Sequence, residues 1–504
     1  IKYIRDKRIE DNHYSHQVIA DGALHNDEEF ALLEEWLRSY KIEELFNDGA
    51  FTNGIESLIP RPERRMGDNP RAHGGSPHYR PLSLPSLSEY AAKNTCNLND
   101  PICGEVSSME TIGAYVRDVM RLNESDRNFR LFSPDETYSN KLQAVFEYTT
   151  RAFVWPHKEW DRDIAWDGRV LEMLSEHSLQ GLIQGYVLTG RHGVFASYEA
   201  FVQIVASMAD QYAKFLKIAR EVSWRGTIPS LNYILTSTGW RQEHNGFSHQ
   251  NPGFIDGVLQ RQGCFTNVYF PADANTAVAT MAHMLASTRE VNVLVCEKRP
   301  LPIWRTLAEA ERDVRDGVSI WEFASDEDPH LVFAAAGDYP TQEVLAAISL
   351  IRQEMPELRL RFVNVTSLSA LGIGHSGCRV LPHSFEDYFT ADKPVIFNFH
   401  GYPQTVKQTL FDYGCTADRV HVHGYEEVGS TTTAFDMMVR NHVDRFHLAM
   451  EAFALAEKAK VASAKTVAGL KKKYETLLAE HREYIIEHGD DPTDITNWVW
   501  QSRS

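Results

Sequence analysis

At 504 residues the chain is too long for a single core, so two or three domains are expected. With 43% hydrophobic and 24% charged residues it has the composition of an ordinary soluble protein, and no apolar run approaches the ~18 residues that a membrane helix needs. The formal net charge of −18 argues against nucleic acid as the main partner, and it means that an anion site needs its own local cluster of Lys, Arg and His.

No apolar segment follows the charged start IKYIRDKRIED, so no secretory signal is expected, and a cytoplasmic location fits. The first residue is Ile, so the natural start is expected to lie upstream. The cysteines (Cys96, Cys103, Cys264, Cys296, Cys378 and Cys415) are scattered without ligand-like spacing, so reduced structural thiols are expected and no metal ligand is assigned.

Residues 1–85 read as irregular apart from a helix over DEEFALLEEWLRSY. The stretch IPRPERRMGDNPRAHGGSPHYRPLSLPSL is rich in Pro, Gly and Arg and reads as a strap or linker. From about residue 105 apolar strands alternate with amphipathic helices. NFRLFSPD and GRVLEM read as strands. SEHSLQGLIQGYVLTG reads as a helix, with Ser175 as N-cap and Gly190 as C-cap. EAFVQIVASMADQYAKFLKIAREV reads as a long helix, and SLNYILTS, CFTNVYFPA and VNVLVCEK as strands. A second alternating set begins near 328 with HLVFAAAG and runs through KPVIFNFHG and RVHVHGY to a closing helix over FDMMVRNHVDRFHLAMEAFALAEKA. This pattern predicts an α/β protein with two doubly wound parallel-sheet domains, 105–327 and 328–504, preceded by an irregular segment, 1–104.

The densest chemistry lies in GWRQEHNGFSHQNPGF at 239–254. Gly246 and the Asn251-Pro252-Gly253 turn rule out a regular helix or central strand there. A loop so rich in donors and acceptors, following the apolar run SLNYIL, suits a polar ligand at a strand end; a solvated loop is the plain alternative.

WRQEHNGFSHQNPGF resembles the histidine loop of phosphoketolases, thiamine-diphosphate enzymes related to transketolase. Further matches lie in order along the chain: SHQV at 15–18, RRMGDNPRAHGG at 64–75, FSPDETYSNKL at 132–142, GRVLEMLSEHSLQG at 168–181, LTGRHGVFASYEAF at 188–201, AGDYPTQEVLAA at 336–347, KPVIFNFHGYP at 393–403 and TTTAFDMMVRNHVDRFHLAM at 431–450. The resemblance implies a pyrimidine-binding domain at 105–327 and a transketolase-like C-terminal domain at 328–504. The implied reaction is cleavage of xylulose 5-phosphate or fructose 6-phosphate with inorganic phosphate, giving acetyl phosphate and a shortened aldose phosphate.

The resemblance also assigns roles. Glu176 contacts the aminopyrimidine ring of thiamine diphosphate and exchanges a proton with it; position alone would favour a glutamate drawn to a helix start. Phe195 and Tyr198 lie against that ring. Their spacing of three, continued by Phe201, also suits a buried helix face, and Phe201 is assigned to the core. His16, His244 and His249 are implied active-site histidines, with Asn245 beside the cofactor. Ser139, Lys141, His244 and Lys298 form the implied phosphate cluster, although family members often carry Arg where this chain has Lys141. Glu172 is read as structural.

The Gly-Asp-Gly segment that holds the diphosphate and its Mg²⁺ in such enzymes has no counterpart; NDGAFTNG at 47–54 lacks the pattern. The expected picture is therefore the C-terminal two-thirds of a phosphoketolase, acting in a homodimer, with diphosphate and metal held elsewhere. The alternatives are a separate pyrimidine-binding subunit of a two-chain thiamine-diphosphate enzyme and a non-catalytic regulatory paralogue.

Overall fold

The computed structural model describes residues 3–4, 7–8, 21–52, 54–68, 79–92, 104–134, 136–261, 264–372 and 383–500. His16 lies outside the described residues. The chain divides into two compact units, Ile1–Ala72 and His73–Ser504.

In the first unit the expected helix forms at Asp27–Arg38, where the Asn26 side chain accepts the backbone N–H groups of Glu28 and Glu29. The NDGAF segment is a minimal hairpin. Phe46–Asn47 pairs with Ala50–Phe51, and Asp48 and Gly49 take the left-handed conformations that a tight hairpin turn requires.

The second unit is built on two sheets. The larger has eight strands, in the order Thr266–Tyr269, Val291–Val295, Leu231–Thr236, His192–Tyr198, Phe129–Ser133, Val170–Glu172, Arg151–Ala152 and Ile164–Ala165. Every pairing in it is parallel. Its central strands are buried along their whole length, as expected where helices cover both faces. The helix Glu176–Leu188 carries the expected Ser175 cap, and Gly190 follows the terminal residue Thr189 at φ 87°. The long helix expected from residue 199 begins only at Ala206: the strand His192–Tyr198 ends just before it, and a 3₁₀ turn at Val202–Val205 takes up its first residues.

The smaller sheet has five strands, in the order Val318–Ile320, Leu360–Val365, Leu331–Ala336, Val395–Phe399 and Val420–His423. It departs from the expected parallel pattern at one edge. Val318–Ile320 pairs antiparallel with Leu360–Val365 and comes from ahead of the expected boundary at 328. The closing helix is two helices, Ala434–Arg440 and Arg445–Lys458, split where His442 adopts φ 55° and Asp444 caps the second.

The sheets form one body. Val332, Ala334 and Val363 of the smaller sheet share a core with Tyr233, Leu235 and Val293 of the larger. The Phe270 N–H donates to the Thr366 carbonyl across the junction, 2.7 Å. Cys296 and Cys415 are free thiols, whereas Cys264 is disulfide-bonded, against the expectation of reduced thiols throughout. Pairing of distant cysteines depends on tertiary proximity, which spacing along the chain does not report. Among the described residues no helix is long and apolar enough to cross a membrane.

Candidate active site

Parallel sheets gather the carboxyl ends of their strands along one edge, where α/β proteins bind ligands. Five segments that leave that edge of the larger sheet carry the candidate residues. Glu136 follows Phe129–Ser133, Glu176 follows Val170–Glu172, Tyr198 ends its own strand, Ser237 follows Leu231–Thr236, and Lys298 follows Val291–Val295.

The Tyr198 backbone N–H donates to Glu136 Oε2 at 3.1 Å. The Tyr198 and Phe201 rings stack, with centroids 5.6 Å apart and planes 10° apart. His249 meets the Phe201 ring edge-on, at 4.9 Å between centroids. Lys298 Nζ lies 4.8 Å from the Tyr198 ring centroid and donates to Ser237 Oγ at 2.6 Å. Ser237 is buried and holds a left-handed φ of 50°. An L-residue rarely adopts that conformation, and such strain gathers at functional sites.

The electrostatics follow from this crowding. Burial pushes the Glu136 carboxyl up to about 7; the neighbouring Glu176 carboxylate adds to the rise, against the Tyr198 N–H and Lys298. Partial burial holds the His249 imidazole below its ordinary value, and nearby His244 and Lys298 push the same way. The site thus brings a carboxyl group raised to about 7 close to Glu176, with the His249 imidazole and Lys298 beside them.

The histidine loop is irregular as expected, with single 3₁₀ turns at Gly239–Arg241 and Gly246–His249. The second sheet's connections hold it in place. Gln250 Nε2 donates to the Ser430 carbonyl, Tyr425 Oη donates to Gln250 Oε1, and the Phe247 N–H donates to Ser430 Oγ. A Cβ on Gly246 would stand 2.7 Å from Ser430 Oγ, at a φ of 69°, so the loop passes this point only as glycine.

The sequence-assigned residues divide into those this edge brings together and those it does not. Glu176, Tyr198, His249, His244 and Lys298 converge with Glu136. His244 and Asn245 are exposed at the loop surface. His244 Nδ1 is 4.0 Å from Glu243 Oε1, and Asn245 Nδ2 donates to Gln242 Oε1. Ser139 is exposed and donates to the Glu136 carbonyl. Lys141 Nζ lies 3.5 Å from Glu110 Oε1, in an exposed pair.

Phe195 is the clear correction. It is fully buried and packs edge-on against Tyr233 in the core, so its ring is closed to a ligand. Residues three apart on a strand fall on opposite faces, so Phe195 and Tyr198 cannot share one surface. Phe201, assigned to the core, is half-buried and stacks on Tyr198. Glu172 is structural, as read: its side chain is 6% exposed, pairs with Arg151 and accepts the Thr137 N–H.

Sequence reading passed over Glu136, although it lies in FSPDETYSNKL just past a strand end. Its position in that turn was the available signal; its burial and its proximity to Glu176 were not legible there.

The two doubly wound sheets, packed side by side with ligand-type residues along a carboxyl edge, make a transketolase-like fold. Solved transketolases share it: one from Pichia stipitis in complex with fructose 6-phosphate has a TM-score of 0.54 at 15% identity, over 77% of this chain and 49% of that one. The Leishmania mexicana transketolase has a TM-score of 0.53 at 15% identity, over 86% of this chain and 52% of that one. The family is narrower than the fold. Residues 110–287 match the model of D-xylulose 5-phosphate/D-fructose 6-phosphate phosphoketolase, 298–500 its C-terminal domain and 1–77 its N-terminal domain. The chain belongs to the phosphoketolase family. It is 43% identical over 501 residues to a probable phosphoketolase of Brucella suis, covering 98% of this chain and 62% of that protein. It is 45% identical over 499 residues to probable phosphoketolase 2 of Rhizobium meliloti, covering 98% of this chain and 63% of that protein. The chain therefore spans somewhat less than two-thirds of the length of these relatives.

Proposed function

We propose that this chain supplies the pyrimidine-binding and C-terminal domains of a thiamine-diphosphate-dependent phosphoketolase. The enzyme would cleave xylulose 5-phosphate or fructose 6-phosphate with inorganic phosphate to acetyl phosphate and an aldose phosphate, in the cytoplasm. The observation that carries this reading is the Glu136 carboxyl, which accepts the N–H of Tyr198, stacked on Phe201, and which burial and the nearby Glu176 raise to about 7.

That arrangement fits an aminopyrimidine: a flat ring would stack on an aromatic face, and a carboxyl pair sharing one proton would let the member facing the ring hydrogen-bond a ring nitrogen. When bound, thiamine diphosphate supplies a carbon nucleophile and an electron sink for carbon–carbon cleavage. Glu176 is the residue assigned to the ring, and Glu136 keeps the pair from carrying two charges. His249, uncharged near neutral pH, accepts or donates a proton at the sugar's first carbons. Lys298 and His244 hold the substrate phosphate, the local cations that a chain of −18 requires. Diphosphate and Mg²⁺ would be held by residues outside this chain, in a second subunit's share of a homodimeric site.

The test uses the full-length enzyme. Glu176→Gln should slow hydrogen–deuterium exchange at the thiazolium C2 carbon by about two or more powers of ten, with acetyl phosphate formation falling alongside. Unchanged exchange at that carbon would remove Glu176 from the role, and wild-type protein forming no acetyl phosphate from either ketose phosphate would remove the reaction itself.

A further inference from the structure

The residues next in sequence to the two central site groups face the other way. Glu199 follows Tyr198 and is 1% exposed; Glu297 precedes Lys298 and is 0% exposed. Both enter a buried polar row that ends on the second sheet. Glu199 Oε1 lies 2.6 Å from His400 Nε2, and its Oε2 accepts the Gly239 N–H at 3.0 Å. His400 directly follows the strand Val395–Phe399, and its carbonyl accepts the Trp240 indole N–H at 3.1 Å. Asp338, at the start of the helix after Leu331–Ala336, accepts the Glu297 N–H at 2.9 Å, while Thr238 Oγ1 donates to Glu297 Oε2. Glu199 alone thus joins three pieces: the strand end bearing Tyr198, the first turn of the histidine loop, and the edge of the second sheet.

The charges make the link selective. Burial alone would lower the His400 imidazole, but Glu199, Asp338 and Glu297 raise it above 6.5 instead. Burial with Glu297 nearby pushes Asp338 up to about 6, and burial raises Glu297, which Arg241 and Lys298 oppose. A buried carboxylate–imidazolium pair is a poor way to glue two sheets, since apolar side chains of similar volume commonly hold as well. What such a pair adds is direction, because each oxygen accepts from one particular donor.

We propose that Glu199 and His400 are positioning residues, which set the histidine loop relative to Tyr198 from the second sheet. This rests on the phosphoketolase reading of the site. Neither group touches substrate; each acts through Gly239, Trp240 and the strand end at Tyr198.

The apolar double variant Glu199→Leu/His400→Phe separates positioning from stability in the full-length enzyme. It should fold with a Tm close to wild type. Its loop peptides over 239–250 should exchange amide hydrogen faster, with Gly239 freed of its acceptor, while the core strand Leu231–Thr236 stays protected. Turnover should fall about a hundredfold, the scale expected from a misplacement of ~1 Å, with KM for the ketose phosphate within about threefold of wild type. Glu199→Gln, which keeps an acceptor oxygen for the Gly239 N–H, should retain more of both loop protection and turnover. Wild-type turnover in the double variant would overturn the proposal, as would exchange rising throughout the chain together with a collapsed Tm in both variants. A wild-type enzyme without phosphoketolase activity would sink the reading of the site, and the exchange measurement would still decide whether the pair holds the loop.

Discussion

The ring of Tyr198 lies parallel to that of Phe201, 5.6 Å away, while Phe195, three residues earlier on the same strand, points into the core. Phe195→Ala should therefore act on folding, costing about 3–5 kcal/mol as a large-to-small change in a packed interior. Phe201→Ala should leave the melting temperature nearly unchanged and weaken thiamine diphosphate binding by about 1 kcal/mol beyond the area lost. Melting curves and cofactor titrations on the full-length enzyme separate the two. Equal cofactor affinity in Phe201→Ala and wild type would remove the stack from the site.

Glu136 gives stability a pH dependence of definite sign. Its carboxyl keeps a proton to about 7 in the folded chain, against an ordinary 4.5. Folding therefore binds a proton between those values, and stability falls as pH rises through that window. Glu136→Gln should flatten this fall and leave the protein more stable than wild type above about pH 7. Urea melts across the window provide the check, and an unchanged slope in the variant would place the titration on another group.

Glu172 and Glu176 are four residues apart and should behave oppositely. Glu172→Gln weakens a part-buried ion pair with Arg151 and should cost roughly 1–3 kcal/mol of stability while thiazolium C2 exchange continues. This is a larger structural penalty than the mild effect a reading of the sequence alone suggests. Glu176→Gln should keep the fold and lose the exchange. A stable Glu172→Gln protein with slow exchange would reverse the assignment.

Phosphate recognition should follow Lys298 rather than Lys141. Loss of a charge-assisted contact from a sheltered site is worth roughly 1.5–3 kcal/mol, so Lys298→Ala should raise KM for ketose phosphates by at least tenfold, and His244→Ala, at an exposed imidazole, by less. Lys141→Ala removes an exposed pair with Glu110 and should change KM by less than about twofold. Steady-state kinetics decide the matter, and a large KM effect confined to Lys141→Ala would return the phosphate to that end of the site.

Assembly should be two-fold. Leu174 is 82% exposed and Leu182 44% exposed on the segment that carries Glu176, an apolar surface beside the proposed cofactor ring. Light scattering of the full-length enzyme over a dilution series should show a dimer, with activity lost on dissociation. An active monomer would overturn the shared site.

The sequence by itself determined the alternation of strands and helices, because apolar runs and caps such as Ser175 act over a few residues. It also determined the family, and with it the segments that reach the carboxyl edge: the turn after Phe129–Ser133, Glu176, Tyr198, the histidine loop and Lys298. Which side chain of each segment faces the site was decided elsewhere. Phe195 and Phe201 exchange places because residue 195 lies inside a strand and residue 201 beyond its end, a boundary that a spacing of three does not mark. Lys141 meets Glu110, a helix glutamate 31 residues earlier. Glu136 is raised only once folding buries it beside Glu176, and Glu199 finds His400 across 201 residues of chain only when the two sheets pack. Local pattern fixes elements through neighbouring residues, whereas burial, charge pairing and access depend on contacts that form only in the packed molecule.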